Sequence, residues 1–212
     1  MRDGEYVGTL ITEKCTKDDI INMMVGRTIF EDPKQKSNVK PDAPVVLKVD
    51  HLCAGKMVKD VSFELRKGEI LGMAGLMGAG RTETARALFG ADPKESGDIY
   101  VDGQKVVIHS PQDAVKAGIG YLSEDRKRFG LVLDKSVSDN TCLATLENFR
   151  KGVFLNKGKA DQVAKDYVKK LKTKTPNVET TVGSLSGGNQ QKVVIAKWLT
   201  RDCDILIFDE PT

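Results

Sequence analysis

No apolar run in the chain approaches the ~20 residues that a spanning helix needs, which excludes a helical membrane span. The opening residues, Met1-Arg2-Asp3-Gly4, contain no apolar stretch of the signal-peptide kind, so no secretory signal is expected. Only four cysteines occur (Cys15, Cys53, Cys142 and Cys203), far apart and without a C-x-x-C pair. That distribution fits a reduced compartment and argues against a zinc site. There are two histidines, His51 and His109. The net charge of +3 is too mild to indicate a nucleic-acid reader, which carries a clustered basic face. No internal repeat is evident. With 40% hydrophobic and 30% charged residues the composition is that of a soluble globular chain. At 212 residues it has room for one full domain and a piece of another, and it needs no disulfides to hold a core.

The first 30 residues read as a short unit. Asp3-Gly4 is a turn signal, Tyr6 to Ile11 reads as a strand, and Thr16 with Asp19 three positions on is a helix start. Ile20, Met23 and Met24 follow at helical spacing, and Gly26 is a stop signal. Such a segment cannot bury a core alone and is expected to pack on another body. Residues 31–44, with Pro33, Pro41 and Pro44 in a polar stretch, read as a linker.

The main domain is expected from Val45. Val45–Leu52 and Val61–Leu65 read as strands, and Arg66–Glu69 as a turn. Ile70–Ala74 reads as a buried strand running into a glycine-rich loop and a helix over 81–89. Asp102-Gly103 predicts a hairpin between Ile99–Val101 and Lys105–Ile108. Ser110-Pro111 opens a helix that ends at Gly118, and Ile119–Leu122 is a strand. Residues 136–172 are mostly helical, with Val163, Tyr167, Val168 and Leu171 on one face. A last helix over 189–200 leads to the strand Ile205–Phe208.

Three stretches carry chemistry. Gly75 to Thr82 fits the phosphate-loop pattern G-x-x-x-x-G-K-[ST], with Arg81 in the lysine position. Its glycines allow backbone N–H groups to turn toward an anion at a helix start. Thr82 offers a hydroxyl to Mg²⁺, whereas Arg81 is a bulkier and planar replacement for a compact point charge. In Leu185 to Lys192 (LSGGNQQK), Ser186 is expected to cap a helix whose first N–H groups the two glycines leave bare. Finally, Asp209 and Glu210 sit at the carboxyl end of an apolar strand, where α/β sheets bind ligands. Asp209 suits a Mg²⁺ contact through water, and Glu210 suits orienting and deprotonating an attacking water.

Taken together and in this order, these stretches resemble an ATP-binding-cassette (ABC) ATPase: an altered Walker A loop, the LSGG motif and Walker B. The narrower resemblance is to the second cassette of the tandem-cassette ATPases of bacterial monosaccharide importers (ribose, galactose/methyl galactoside and xylose types). It rests on GLMGAGRTE (Gly75–Glu83), GYLSEDRK (Gly120–Lys127), GLVL (Gly130–Leu133) and LSGGNQQK. RDGEYVGT and MMVGR at the start resemble the end of a first cassette and the run into a second. The resemblance implies an α/β P-loop NTPase fold with a mixed sheet core, an antiparallel β subdomain and an inserted helical subdomain at about 129–183. It makes residues 1–30 the end of a preceding cassette and 45–212 a second cassette lacking its C-terminal part.

It further implies ATP and Mg²⁺ as ligands. Gly75, Gly78, Ala79, Gly80, Arg81, Thr82 and Glu83 would form the phosphate loop, and Glu124 would occupy the Q-loop position, where most cassettes have Gln. Thr82 and Asp209 would serve Mg²⁺, and Glu210 would be the catalytic residue. Ser186, Gly187, Gly188 and Gln190 would complete the ATP site of the other cassette. The family's D-loop and switch histidine, which should follow Walker B, do not occur before Thr212, and no aromatic for the adenine lies at Cys53–Met57. The chain therefore reads as an internal fragment of a longer polypeptide, inactive and marginally stable alone. The implied partners are the other cassette in the parent chain, transmembrane permease subunits and, indirectly, a sugar-binding protein, at the cytoplasmic face of the membrane and without nucleic acid. An alternative within the family is a degenerate cassette that mainly completes its partner's ATP site. A soluble ABC protein of translation or DNA repair, or an unrelated P-loop kinase or GTPase, fits GYLSEDRK and LSGGNQQK less well.

Overall fold

The computed structural model describes residues 5–25, 39–40, 42–151 and 154–211. They fall into two units, residues 1–38 and 39–212, each taken by itself below. Among the described residues no helix is long and apolar enough to cross a membrane.

In the first unit, α1 spans Lys17–Val25. Its start is the expected reciprocal cap: the Asp19 N–H donates to Thr16 Oγ1 (3.2 Å), and the Thr16 N–H donates to Asp19 Oδ2 (2.9 Å). Tyr6–Ile11 is not a strand. A strand forms only against a partner ladder, and here Tyr6 and Ile11 stay exposed. Ile20 and Met24 are exposed as well. The Asp3-Gly4 turn, the Gly26 stop and residues 31–38 of the expected linker lie outside the described residues.

The second unit begins with an antiparallel sheet of β1 (Val45–Ala54), β2 (Val58–Arg66), β3 (Ser96–Val101) and β4 (Gln104–Val106) in the order β2-β1-β3-β4. The Asp102-Gly103 turn joins β3 to β4 with both residues at positive φ (48° and 76°), as a two-residue hairpin requires. The helix α2 (Arg81–Leu88) packs on β1 and β2. Next come α3 (Pro111–Lys116), capped by Ser110 as its sequence predicts, and β5 (Ile119–Leu122), every residue of which is buried. A five-residue π turn (Arg126–Gly130) leads into α4 (Val137–Cys142), the hairpin β6 (Arg150–Lys151) and β7 (Phe154–Leu155), and α5 (Lys157–Lys170). The helix α6 (Gly187–Arg201) and β8 (Ile205–Phe208) complete the unit, and β8 pairs parallel with β5. The core runs from Leu47, Val49 and Leu52 through Ile99 and Ile119 to Val193 and Val194.

One expected strand is absent. Ile70–Ala74 forms no ladder, and Ile70 is 98% exposed. Its apolar run suits a central parallel strand, but such a strand needs hydrogen-bonding neighbours, and β5 and β8 pair with each other instead.

Lys197 on α6 is only 7% exposed, and its ammonium donates to the Gly130 carbonyl (2.7 Å), tying the π turn to α6. Burial lowers this group from about 10.5 to about 8. Between those values the unfolded chain binds more protons than the folded one, so stability rises with pH. We expect the unsubstituted chain to gain ~2 kcal/mol between pH 8 and 10 relative to Lys197→Met. Urea midpoints of the two chains at both pH values check this.

Candidate functional site

The phosphate loop ends on Gly80, the residue before α2, at φ 85° with no side-chain cap. A Cβ there would lie 2.9 Å from the Met57 carbonyl, so conformation and space both require glycine. Gly78 also has positive φ (78°). A Cβ on Gly75 would meet that of Ala79 at 2.9 Å. The start of α2 thus presents uncapped N–H groups and the positive end of the helix dipole. The β1–β2 turn abuts this start through Met57, which is half exposed, and residues 53–57 contain no aromatic.

The end of β8 meets this helix start. The Thr82 hydroxyl donates to Asp209 Oδ1 (3.0 Å), and an Arg81 Nη2 lies 3.4 Å from Glu210 Oε1. The backbone N–H of Asp209 donates to the Leu122 carbonyl (2.9 Å), continuing the β5–β8 pairing. The Asp209 side chain is buried, whereas that of Glu210 is half exposed. Glu210 has φ 44° immediately before Pro211, a strained backbone that turns its carboxylate out of the strand line.

Sequence reasoning missed two side chains here. Tyr121 on β5 donates its hydroxyl to Asp209 Oδ2 (2.8 Å). Burial, then the Asp209 hydrogen bond and charge, push the phenol well above its ordinary value and keep it a donor. The available signal was a tyrosine in a fully buried strand, whose hydroxyl needs a partner. Arg86, one turn beyond Thr82, holds Asp92 through two 2.7 Å hydrogen bonds. That pairing raises the guanidinium, with smaller contributions from Tyr121 and Asp209, and lowers the Asp92 carboxyl.

The other motif residues stand apart. Glu83 lies in the first turn of α2, and Glu124 follows β5 on an exposed loop. Ser186 takes the N-cap position of α6, but its hydroxyl makes no cap bond. It accepts from Asn189 Nδ2 (2.9 Å) instead, so the expected serine cap is absent and the first N–H groups of α6 stay open. An Arg126 Nη2 would sit 2.5 Å from a Cβ on Gly187, whereas nothing lies within 4 Å of one on Gly188. Gln190 is buried and donates to the Val182 carbonyl (3.2 Å).

Among the described residues no three His, Cys, Asp or Glu side chains cluster as a metal cage. Asp209 with Thr82 nevertheless offers the few hard oxygen donors that suit Mg²⁺, which keeps waters and substrate phosphates in its shell.

The sequence model of the ABC transporter family matches residues 58–212. The chain is 52% identical over its whole length to a Burkholderia cenocepacia (strain HI2424) protein named as a ribose/galactose/methyl galactoside import ATP-binding protein, and it spans 41% of that protein. It is 49% identical, again over its whole length and across 42% of the relative, to the ribose import ATP-binding protein RbsA of Clostridium tetani. It thus spans about two fifths of the curated relatives it matches. A dimeric ATP-binding cassette in a post-hydrolysis state with ADP and Pi shares its fold, with TM-score 0.63 and 22% identity over 78% of this chain and 74% of that one. The fold is therefore that of a P-loop ATPase cassette, and the chain belongs to the ABC transporter family as a relative of the sugar-import ATP-binding proteins.

Proposed function

We propose that this chain is part of a longer ATP-hydrolysing subunit that drives monosaccharide import through an ABC transporter. The observation that carries the ATP site is the Thr82–Asp209 hydrogen bond at 3.0 Å, which joins the phosphate loop to the strand-end carboxylates, and the likeness to sugar-import ATP-binding proteins supports monosaccharide import. The open N–H groups of α2 and the glycine loop Gly75–Gly80, with Ala79 within it, bind the β- and γ-phosphates, and Arg81 adds a cation there. Thr82 and Asp209 would hold Mg²⁺, which when bound would supply charge neutralisation at the transferring phosphoryl group. Glu210 accepts a proton from water as its oxygen bonds to the γ-phosphorus and the bond to the ADP oxygen breaks. Glu83 supports the loop's helix start, and Glu124 works at the Q-loop position.

In this reading residues 1–30 end a preceding cassette, 31–44 are a linker, and 45–212 belong to a second cassette whose helical subdomain covers about 129–183. Ser186, Gly187, Gly188 and Gln190 complete the ATP site of the other cassette. Permease subunits at the cytoplasmic membrane face are the direct partners, a sugar-binding protein is an indirect one, and nucleic acid is not a partner.

A second reading draws on the Arg81–Glu210 contact at 3.4 Å, which engages the candidate base with the residue that replaces the usual lysine. There this cassette hydrolyses little and mainly serves its partner's site. Affinity purification of the full-length parent from detergent-solubilised membranes should recover a permease. Repeated failure to do so would sink the import function in either form.

A further inference from the structure

We infer that Tyr121 is a positioning residue: its buried hydroxyl fixes one oxygen of Asp209 so that the other, beside Thr82, faces the divalent cation. The inference rests on the ATP-site reading and adds a side chain to it. β5 and β8 run parallel with Tyr121 opposite Ile207. Residues two apart in a strand share a face, so Asp209 lies diagonally ahead of Tyr121 on that face. Both are nearly buried, at 8% and 7% exposure, and the hydroxyl-to-Oδ2 distance is 2.8 Å. Asp209 Oδ1 accepts from Thr82 at 3.0 Å. The carboxylate is thus gripped at both oxygens and cannot rotate about its terminal bond without losing a donor.

The tyrosine is itself held in place. Its ring packs tilted on Phe89 with centroids 5.3 Å apart, and Phe89 meets Trp198 edge-on at 5.8 Å. Arg86, one turn beyond Thr82, is locked by Asp92 through two 2.7 Å hydrogen bonds. Mg²⁺ demands near-ideal octahedral geometry and tolerates a misdirected ligand poorly. Partners of metal ligands accordingly govern affinity.

The test uses the full-length protein with the phosphate loop of its other cassette disabled, with and without Tyr121→Phe. Phenylalanine keeps the ring contacts and removes only the hydroxyl. The probe is a fluorescent MANT-ATP, titrated once in EDTA and once at fixed nucleotide with increasing Mg²⁺, so no turnover is needed. We expect the half-saturating Mg²⁺ concentration to rise about tenfold, with affinity in EDTA unchanged. An unchanged Mg²⁺ curve overturns the positioning role. So does an equal loss of affinity in EDTA, which makes Tyr121 a packing residue only. If the unsubstituted protein shows no Mg²⁺-dependent binding, the ATP-site reading falls and takes this inference with it.

Discussion

Replacing Glu210 with glutamine in the full-length parent is expected to lower ATP hydrolysis by about 10²–10³-fold while nucleotide binding persists. Glutamine keeps the size and a hydrogen-bonding oxygen but cannot accept a proton from water at neutral pH. The site favours this side chain as the base. Asp209 is buried and gripped by Thr82 and Tyr121, so it is not free to take a proton. Glu210 is half exposed, and a positive φ at the strand end turns it outward. Among the described residues its ionic partner is Arg81, which bound phosphate also attracts. The substitution frees that guanidinium, so MANT-ATP should bind at least as tightly as before. Phosphate release under saturating ATP is the measurement. A rate that survives unchanged assigns hydrolysis to the other cassette and selects the second reading.

Much of this site was legible because its signals are local. A glycine loop before a helix, the Ser110 and Thr16 caps, and the Asp102-Gly103 hairpin each depend on residues a few positions apart and formed as read, whereas Tyr6–Ile11 and, next to the site, the strand at 70–74 did not form. That strand failed because hydrogen-bonding partners are a property of the sheet and cannot be read from the run of side chains. Ser186 has the sequence of a capping serine, but Asn189 competes for its hydroxyl from three residues away, a local contest that the motif does not advertise. The partner of Tyr121 escaped for the opposite reason, since it lies 88 residues further along the chain. Lys197 likewise reads as an ordinary helical lysine until Gly130 folds against it.

The glycines of the LSGG motif make the sharpest separation between fold and function. Gly97 shows what structural necessity looks like: φ is 98°, and a Cβ would fall 2.5 Å from the Leu52 Cα, inside the backbone of β1. Gly188 shows none of this. It sits in the first turn of α6 with nothing within 4 Å of a Cβ and no positive φ. An alanine there should stabilise the helix by ~0.5–1 kcal/mol. Among the described residues, then, nothing in the fold calls for glycine at this position. The uncapped N–H groups of α6 beside it suit a phosphate carried by another body. We expect Gly188→Ala to raise the melting temperature slightly, yet to cut ATP hydrolysis by the full-length protein about 10²-fold, because the methyl holds the opposing phosphates away from the helix start. A thermal melt paired with a phosphate-release assay reads both effects in one preparation. A variant that melts higher and hydrolyses at the original rate removes Gly188 from the opposite ATP site. A variant that melts lower returns the residue to the fold.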